Sequence, residues 1–468
     1  MFRKARHIHF VGIGGIGMSG IAEVLINLGY TVSGSDLVEN DLTRRLDTMG
    51  ARTYVGHHAA NIEGADVLVT SSIIAKDNPE VAAARSAFIP VIPRAEMLAE
   101  LMRMKFGIAV AGTHGKTTTT SLIATVLSKA GLDPTVVVGG KLDHIGSNAK
   151  LGTSEYLVAE ADESDGSFLL LTPTIGVVTN IEPEHMDYYK GLDQLKSTFE
   201  IFMNKVPFYG LMVLCIDQEH VQSLLPRMHK RYTTYGLSRQ ADLLAKDLVF
   251  KEFSTSFTAE HVEQGVLGRI EIGLPGVHNV YNSLAAIAVA MEMEVPFDQI
   301  ASAIHNFSGV GRRFEKIGEA GGILVVDDYG HHPTEIKTTL TAAKTSFGRR
   351  VLAFFQPHRY SRTRDCYDEF LTAFNEADVL VVTDIYAANE KPLDGVTAQK
   401  LFDGIRACGH KNVIFEPDKE KLPELMAELS EPGDLVMTLG AGDITKFSRK
   451  FFETLKKNAD ETKPADGK

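Results

Sequence analysis

A glycine-containing loop between an apolar run and a helical pattern constrains this chain more than any other feature. Residues 106–111 are apolar and residues 121–129 have a helical period, so Gly112-Thr-His-Gly-Lys-Thr-Thr118 connects a strand to a helix. Such a loop directs several backbone N–H groups at one point, where the helix dipole adds partial positive charge. The sequence therefore predicts an anion site at the edge of an α/β sheet.

Two side chains of this loop favour a nucleotide phosphate as the anion. Lys116 is placed to reach the β- and γ-phosphates, and the Thr117 hydroxyl is placed to hold Mg²⁺. The match to G-x-x-x-x-G-K-[ST] is incomplete, because Val110 stands at the first glycine position and Gly112 comes two residues later. The alternative is a glycine-containing turn with a surface lysine.

Length and charge exclude several classes of protein. At 468 residues the chain is too long for one core, so two to four domains are expected. A net charge of −12 disfavours a nucleic-acid partner, which needs a basic surface. The three cysteines are far apart, which fits a reducing cytoplasm, and no apolar run approaches the roughly 18–20 residues of a membrane span. We expect a monomer or weak homodimer.

A second glycine-rich turn lies near the N-terminus. The predicted order is a strand at 7–11, the run Gly12-Ile-Gly-Gly-Ile-Gly17, a helix at 18–28 and a strand at 30–33. With Asp36 just beyond, this is the G-x-G-x-x-G arrangement that binds dinucleotides. Asp36 either binds a ribose hydroxyl or caps a turn. Ser71 and Ser72 follow another short strand, and the first domain boundary is predicted near Phe106.

Acidic and imidazole side chains follow two predicted strands of the central region. The strand at 156–160 ends in four carboxylates within six residues, namely Glu160, Asp162, Glu163 and Asp165. Such a cluster at the crevice of a parallel sheet needs a cation or a basic substrate to offset its repulsion. The strand at 175–180 leads to His185 and Asp187, which suit a metal or, alternatively, a loop hydrogen bond.

Two asparagines and two arginines mark the end of the central region. Asn279 and Asn282 share one face of a predicted helix, where they either read a nucleotide base or cap the helix. Gly309-Val-Gly-Arg-Arg313 is a basic hinge. The predicted domains are therefore 1–106, 107–313 and 314–468.

In the last domain, basic and imidazole groups collect where predicted strands end. Tyr329 and His331 follow the strand that ends at Asp328, and His358 and Arg362 follow the strand at 351–355. An amino-acid carboxylate could dock there, although any one of these side chains could instead be structural.

Taken in chain order, the motifs resemble the Mur ligase family. They are V-G-I-G-G-I-G-M-S-G-I-A, G-S-D, A-G-T-H-G-K-T-T-T, E-A-D-E-S-D-G-S-F, T-N-I-E-P-E-H-M-D, H-N, G-V-G-R-R-F-E, D-D-Y-G-H-H-P-T-E-I and Q-P-H-R-Y-S-R-T, from Val11 to about Glu390. The resemblance implies three α/β domains: a Rossmann-like UDP-binding domain, a central P-loop ATP-binding domain and a Rossmann-like C-terminal domain for the amino acid.

The resemblance also implies a reaction, because the motifs look most like the branch that adds L-alanine to UDP-N-acetylmuramate. ATP would phosphorylate the lactyl carboxylate, and the alanine amine would attack the acyl phosphate. The products would include ADP and phosphate, in cytoplasmic peptidoglycan precursor synthesis. ATP and Mg²⁺ are the implied cofactors.

Carried over by motif, the resemblance assigns five sets of residues. The implied catalytic residues are Lys116, Glu160, His185 and Arg313, and the metal ligands are Thr117, Glu160 and His185. The implied ATP site is Gly112, Thr113, His114, Gly115, Lys116, Thr117, Thr118, Asn279, Asn282, Arg313 and Asp328. The implied UDP-sugar site is Gly12, Gly14, Gly15, Ile16, Gly17, Ser35, Asp36, Ser71 and Ser72. The implied amino-acid site is Tyr329, His331, His358 and Arg362.

Three other functions fit part of this pattern. A ligase for an intact tripeptide shares the motifs of the first two domains, but the segment His358-Arg-Tyr-Ser-Arg362-Thr resembles the alanine branch more closely. An NAD-dependent dehydrogenase would use the N-terminal glycines and leave the phosphate loop unexplained. A nucleotide switch would bind ATP without releasing phosphate.

Overall fold

The computed structural model describes residues 5–71, 74, 75, 77–142, 147–186, 188–388 and 390–461. It contains three sheets with helices between their strands, as the sequence predicts. The chain divides into two compact units. Unit 1 comprises residues 1–247, 257–270 and 281–308, and unit 2 comprises residues 248–256, 271–280 and 309–468. This division differs from the predicted domain boundaries at 106 and 313, which stay predictions.

The first sheet is parallel throughout and has the strand order β3-β2-β1-β4-β5. Its elements are β1 (His7–Val11), α1 (Ile16–Asn27), β2 (Thr31–Asp36), α2 (Asp41–Thr48), β3 (Arg52–Val55), β4 (Val67–Thr70), α3 (Pro79–Ser86), β5 (Val91–Pro93) and α4 (Arg94–Arg103). The order reverses beside β1, so a crevice opens where β1 and β4 end, which is where a ligand binds in sheets of this kind.

The second sheet has ten strands in the order β15-β14-β13-β12-β11-β10-β6-β9-β7-β8. Its elements are β6 (Phe106–Ala111), α5 (Lys116–Lys129), β7 (Thr135–Leu142), β8 (Ser147–Lys150), β9 (Tyr156–Glu160), β10 (Ile175–Val178), α6 (Leu192–Met203), β11 (Leu211–Cys215), α7 (Glu219–Gln222), β12 (Tyr232–Gly236), β13 (Leu243–Lys251), β14 (Ser254–His261), β15 (Gly265–Ile272), α8 (Val277–Glu292) and α9 (Phe297–His305). Strands β7, β9, β6, β10, β11 and β12 are parallel neighbours.

The third sheet has six strands in the order β16-β17-β21-β18-β19-β20, with only β16 antiparallel to its neighbour. Its elements are β16 (Glu315–Ala320), β17 (Ile323–Asp328), α10 (Pro333–Phe347), β18 (Val351–Phe355), α11 (Tyr360–Asp365), α12 (Tyr367–Phe370), β19 (Val379–Val382), α13 (Ala398–Ala407), β20 (Val413–Phe415), α14 (Leu422–Leu429), β21 (Leu435–Leu439) and α15 (Thr445–Glu461). Strands β17, β18 and β21 are completely buried, as expected for a parallel sheet covered on both faces.

A buried carboxylate, Glu80 on α3, connects several parts of the first sheet. It accepts hydrogen bonds from Ser35 Oγ on β2 at 2.5 Å and from Asn61 Nδ2 at 2.6 Å. The rings of His9 and His57 lie 3.6 and 3.5 Å from the same carboxylate. Burial alone would raise the pKa of Glu80, but the hydrogen bonds outweigh it and lower the pKa from 4.5 to about 2. The ionised carboxylate therefore stabilises the end of β2.

The lowered pKa predicts a pH-dependent effect of Glu80→Gln. A carboxylate whose pKa is lower in the folded state stabilises the fold above its unfolded pKa, and this contribution is lost as pH falls from about 4.5 to about 2. We expect the substitution to destabilise the protein at pH 6 by up to about 3 kcal/mol and by progressively less at lower pH.

Thermal denaturation of both proteins between pH 3 and pH 6 measures this dependence, with exposed Glu63→Gln as the control. A difference in melting temperature that does not change with pH would show that Glu80 acts only through its shape.

Candidate active site

The loop between β6 and α5 is built on two glycines in the left-handed region. Gly112 has φ 133° and Gly115, the residue before α5, has φ 80°. A Cβ on Gly112 would collide with Thr179 Oγ1, and one on Gly115 would lie 2.8 Å from Asn282 Oδ1. Glycine is required at both positions because no other residue fits this backbone and this space. The loop therefore places the first turn of α5 at the edge of the sheet, as predicted.

The segment after β10 holds this loop in place, which the sequence reasoning did not foresee. Asn180 Oδ1 accepts from the His114 N–H at 2.8 Å, and Asn180 Nδ2 donates to the His114 carbonyl at 3.0 Å. Thr179 Oγ1 also donates to that carbonyl, at 2.6 Å. The only sequence signal was the polar pair Thr179-Asn180 directly after a buried strand.

Lys116 is directed back into its own loop. Its ammonium group donates to the carbonyls of Gly112 at 2.6 Å and Thr113 at 3.0 Å, and to Glu163 Oε1 at 2.8 Å. Burial alone would lower the pKa of Lys116, but the charges of Glu163 and Glu160 outweigh it and raise the pKa. Lys116 is therefore a fixed positive charge at the helix N-terminus.

Two other predicted side chains meet beside Lys116. Thr117 Oγ1 donates to Glu160 Oε2 at 3.0 Å, so the hydroxyl and carboxylate predicted to share a metal are adjacent. Asn282, from α8, accepts a hydrogen bond from Thr119 Oγ1 at 3.0 Å and so lies against α5. One glutamate and one threonine with oxygen donors at a phosphate loop fit Mg²⁺, which binds one or two carboxylates plus phosphates and water.

His185 lies near two carboxylates that the sequence analysis did not assign to it. Its Nε2 is 3.8 Å from Glu163 and 4.0 Å from Glu184. One ligand atom from each of these three residues lies within 4.8 Å of the other two, a separation that a single cation can bridge. Asp187, predicted beside His185, lies outside the described residues.

Near the N-terminal turn, Asp36 caps the glycine turn, which is one of the two roles predicted for it. Its Oδ2 accepts from the Gly14 N–H at 2.9 Å, and Oδ1 accepts from the Leu37 N–H at 2.8 Å. Asn40 Nδ2 donates to the Gly14 carbonyl at 3.2 Å. Gly15 precedes α1, so the predicted residues Ile16 and Gly17 form its first turn. The geometry is suited to an anion at this helix N-terminus.

The other predicted UDP-sugar residues differ in their accessibility. The Ser35 side chain is completely buried against Glu80 and His57, whereas Ser71 is partly exposed and its Oγ lies near Gly12. Ser72 lies outside the described residues.

Arg94 is a further residue that sequence reasoning missed in this region. Its Nη1 would lie 2.8 Å from a Cβ on Gly17, and its Nη2 pairs with Asp162 at 2.9 Å. A guanidinium beside the glycine turn adds a positive charge where a pyrophosphate would bind. No local pattern indicates this contact, because Arg94 follows a different strand.

In unit 2, Asp328 holds the hinge and the start of the last domain together. Its oxygens accept from the backbone N–H groups of Phe314 and Gly330, both at 2.7 Å. Burial raises the pKa of Asp328 to about 6, although Arg313 and these N–H groups counteract the shift. Arg313 lies over the Tyr329 ring at 5.1 Å and 3.5 Å from Glu335. Asp328 thus has direct structural contacts, whatever its role toward ATP.

Asn279 and its neighbour His278 also lie in unit 2. Asn279 Nδ2 donates to the Pro275 carbonyl at 2.8 Å and lies 3.0 Å from His278 Nε2. Burial, with a smaller contribution from Arg313, lowers the pKa of His278 to about 4, so the ring is neutral at physiological pH. Asn279 thus contacts the backbone just before α8 through its amide N–H, and both the helix-cap and the nucleotide-base interpretations stay predictions.

The four predicted amino-acid residues converge at the ends of β17 and β18. The Tyr329 and His331 rings are 5.4 Å apart, and the His331 and His358 rings are 5.9 Å apart. Arg362 Nη1 lies 3.2 Å from His358 Nδ1. Burial lowers the pKa of His358 to about 3, with His331 and Arg362 adding to the shift, so the imidazole is neutral and accepts from the guanidinium. Tyr386, which was not predicted, stacks on His358 at 5.6 Å.

Comparison with known proteins identifies the class to which this fold and site belong. Three models of the Mur ligase family match the chain in order: the Mur ligase family catalytic domain over residues 7–106, the middle domain over 110–290 and the glutamate ligase domain over 312–442. The chain belongs to the Mur ligase family.

Relatives of this chain carry a more specific name. The UDP-N-acetylmuramate--L-alanine ligase of Geobacter sp. (strain M21) is 58% identical over 97% of this chain and 99% of its own length. The ligase of the same name from Myxococcus xanthus (strain DK1622) is 58% identical over 97% and 96%.

A solved structure agrees with these relatives. The UDP-N-acetylmuramate-alanine ligase of Thermotoga maritima is 30% identical and covers 97% of this chain and 99% of its own, with a TM-score of 0.82. A murein peptide ligase of Psychrobacter arcticus, 24% identical with a TM-score of 0.70, shows the same fold.

The glycine geometry predicts that Gly112→Ala is far more damaging than an alanine at a loop glycine with open space. Gly131 also has positive φ, at 83°, but has nothing within 4 Å of a Cβ. We expect Gly131→Ala to cost about 1–2 kcal/mol, the cost of a left-handed residue. Gly112→Ala should cost more and abolish ADP binding, because the loop must move away from Thr179.

Urea unfolding and calorimetric ADP binding test both variants. Equal losses of stability, with ADP binding retained in Gly112→Ala, would contradict the proposed packing of the loop.

Proposed function

We infer that this chain joins L-alanine to UDP-N-acetylmuramate in an ATP-dependent reaction. The observation that carries this function is the alignment of its relatives over almost the whole chain, together with a phosphate loop whose lysine and acidic partners are assembled in unit 1. The reaction forms an amide bond from a carboxylate and an amine. A carboxylate is a poor acceptor for an amine until one of its oxygens becomes a phosphate, so ATP is needed.

The chemistry divides into two steps that the residues support. In the first, a lactyl carboxylate oxygen attacks the γ-phosphorus of ATP, forming an acyl phosphate and ADP. Lys116 offsets the charge on the transferred group. In the second, the amine of L-alanine attacks the acyl carbon and phosphate leaves from the tetrahedral intermediate. The protein contributes positioning and charge neutralisation more than covalent chemistry.

We propose Mg²⁺ as the cation, with Thr117, Glu160 and His185 among its ligands. When bound, Mg²⁺ would offset phosphate charge during transfer. The Thr117–Glu160 contact and the carboxylates near His185 support this choice, since oxygen ligands are those that Mg²⁺ prefers.

The setting of the reaction is part of the same proposal. No helix among the described residues is long and apolar enough to cross a membrane. The cysteines are free. We propose a cytoplasmic enzyme of peptidoglycan precursor synthesis that takes small-molecule substrates.

A phosphate-release assay with UDP-N-acetylmuramate, ATP and a panel of acceptors tests the function. L-alanine should give the fastest release, glycine and serine slower release, and the intact tripeptide almost none. An enlarged or reduced side chain changes discrimination by only about 10–200-fold in a simple pocket, so glycine and serine should not be fully inert. Faster turnover with the tripeptide would indicate the tripeptide-adding function, and ATP binding without phosphate release would indicate a switch.

Lys116→Ala should keep the fold and lose about 10²–10³-fold in turnover, the loss expected for one electrostatic donor to the reacting group. The measurement is the steady-state rate of phosphate release, with circular dichroism to show that the fold is retained. Turnover like that of the wild type would remove Lys116 from the reaction.

Arg362→Lys should raise the KM for L-alanine about ten- to hundred-fold and leave the KM for ATP nearly unchanged. The guanidinium offers two parallel N–H donors to a carboxylate, whereas lysine offers a point charge, and a charged hydrogen bond contributes about 1.5–3 kcal/mol. Steady-state kinetics in both substrates make the comparison. An unchanged KM for L-alanine would place the carboxylate contact elsewhere in the last domain.

A further inference from the structure

Glu163 is a buried carboxylate that the proposed reaction does not yet use. Its side chain is about 3% exposed, and Oε1 is bonded to Lys116 Nζ at 2.8 Å. Within the described part of the chain, Oε2 is buried and accepts no hydrogen bond. Leaving a buried carboxylate oxygen without a donor is costly, so this oxygen is arranged to bind a ligand.

The surroundings of Glu163 indicate which kind of ligand fits. Glu184 and His185 present ligand atoms within 4.8 Å of a Glu163 oxygen and of each other. Two carboxylates and one imidazole form a donor set for a divalent cation such as Mg²⁺ or Mn²⁺. The Lys116 ammonium, bonded to Glu163 Oε1 at 2.8 Å, is a positive charge beside this set.

Lys116 has no hydrogen left for a phosphate in this arrangement. An ammonium group has three N–H donors, and here the two carbonyls of Gly112 and Thr113 and the carboxylate of Glu163 take all of them. ATP binding must therefore break at least one of these bonds. If the bond to Glu163 breaks, a buried carboxylate loses its counter-ion, which is strongly unfavourable unless another cation replaces it.

We propose that Glu163 exchanges partners when nucleotide and metal bind. Before they bind, Glu163 holds Lys116 inside the loop through the bond described above. Once they bind, Glu163 contacts a divalent cation together with Glu184 and His185, and Lys116 is released to the phosphates. Cation binding and nucleotide binding are then coupled through one carboxylate, and by linkage each strengthens the other. This inference rests on the proposed function only in taking ATP as the nucleotide.

The test measures binding of a non-hydrolysable ATP analogue by calorimetry, in EDTA and in Mg²⁺. In EDTA, Glu163→Gln should bind the analogue about ten- to hundred-fold more tightly than the wild type, because a charged hydrogen bond no longer holds Lys116. The gain in affinity on adding Mg²⁺ should be smaller in the variant than in the wild type. Glutamine has the same shape as glutamate, so the loop keeps its packing.

Asp165→Asn is the matched control. Asp165 belongs to the same acidic loop, and its Oδ1 accepts from the Ser167 N–H at 3.0 Å, a bond that asparagine can also accept. It removes one negative charge without touching the Lys116 contact. Its affinity in EDTA should stay within about two-fold of the wild type, since Asp165 is partly exposed and a solvated charge contributes little.

A double-mutant cycle with Lys116→Met separates partner exchange from simple charge repulsion. If Glu163 acts through Lys116, Glu163→Gln should give no gain in EDTA when Lys116 is already methionine. A gain that persists in that background would overturn the proposal, since it would show that Glu163 merely repels the phosphates. Unchanged metal-free affinity in Glu163→Gln alone would overturn it equally.

Metal alone provides a second readout that needs no nucleotide. Mn²⁺ should raise the melting temperature of Lys116→Met more than that of the wild type, because the ammonium no longer competes for Glu163. In the double variant with Lys116→Met and Glu163→Gln, Mn²⁺ should not give this larger increase in melting temperature. A larger increase in melting temperature in the wild type than in Lys116→Met would contradict a cation site that competes with Lys116 for Glu163.

Failure of these binding tests leaves alanine-dependent phosphate release untouched, and loss of that release would leave these tests valid, so the two proposals can fail separately.

Discussion

The parallel register of three central strands decides where the candidate active site of this protein lies. Val110 on β6 pairs with Glu160 on one side and with Val177 on the other. All three strands therefore end at one level of the sheet, and the segments that follow them emerge at the same edge. The phosphate loop, the acidic loop and the segment from Thr179 to His185 meet there because the hydrogen bonds between the strands fix where each of these segments begins.

Charge balance is the second constraint, and it follows from the first. Ends of buried strands are poorly solvated, so an ionised side chain there needs a partner of opposite charge or several hydrogen bonds. Lys116 satisfies this requirement with Glu163 and two carbonyls, and Glu80 satisfies it with Ser35 and Asn61. In both places the charged group also fixes a glycine- or serine-bearing strand end, so the electrostatics and the loop conformation support each other.

In the third sheet, functional side chains also gather where parallel strands end, but they are of a different chemical type. Strands β17 and β18 each pair with β21, so Tyr329 and His331 emerge close to His358. Here the collected groups are imidazoles and guanidinium groups, and the lowered pKa of His358 keeps its ring neutral beside Arg362. An edge of this kind suits an anionic ligand, whereas the carboxylates of the central edge suit a cation.

Local pattern was enough to predict most elements. The strands at 7–11, 67–70, 106–111, 156–160 and 351–355 are confirmed, because a buried parallel strand is a short apolar run that ends at a turn residue. Helix α5 begins at Lys116, earlier than the apolar period suggested, since Gly115 starts the helix and polar threonines fill its first turn. The β7 and β8 pair was missed because Gly139 and Gly140 interrupt its apolar run.

The sequence by itself determined the order of strands and helices, the glycines of the phosphate loop and the residue types that gather at the strand ends, because these depend on backbone geometry and short-range periodicity. Only the tertiary structure decided which of those residues are partners. That Lys116 pairs with Glu163, that Asp36 caps Gly14 and that Ser35 points inward to Glu80 depend on side-chain directions from segments 22 to 47 positions apart. No local pattern contains that information, since it is fixed by the register between strands.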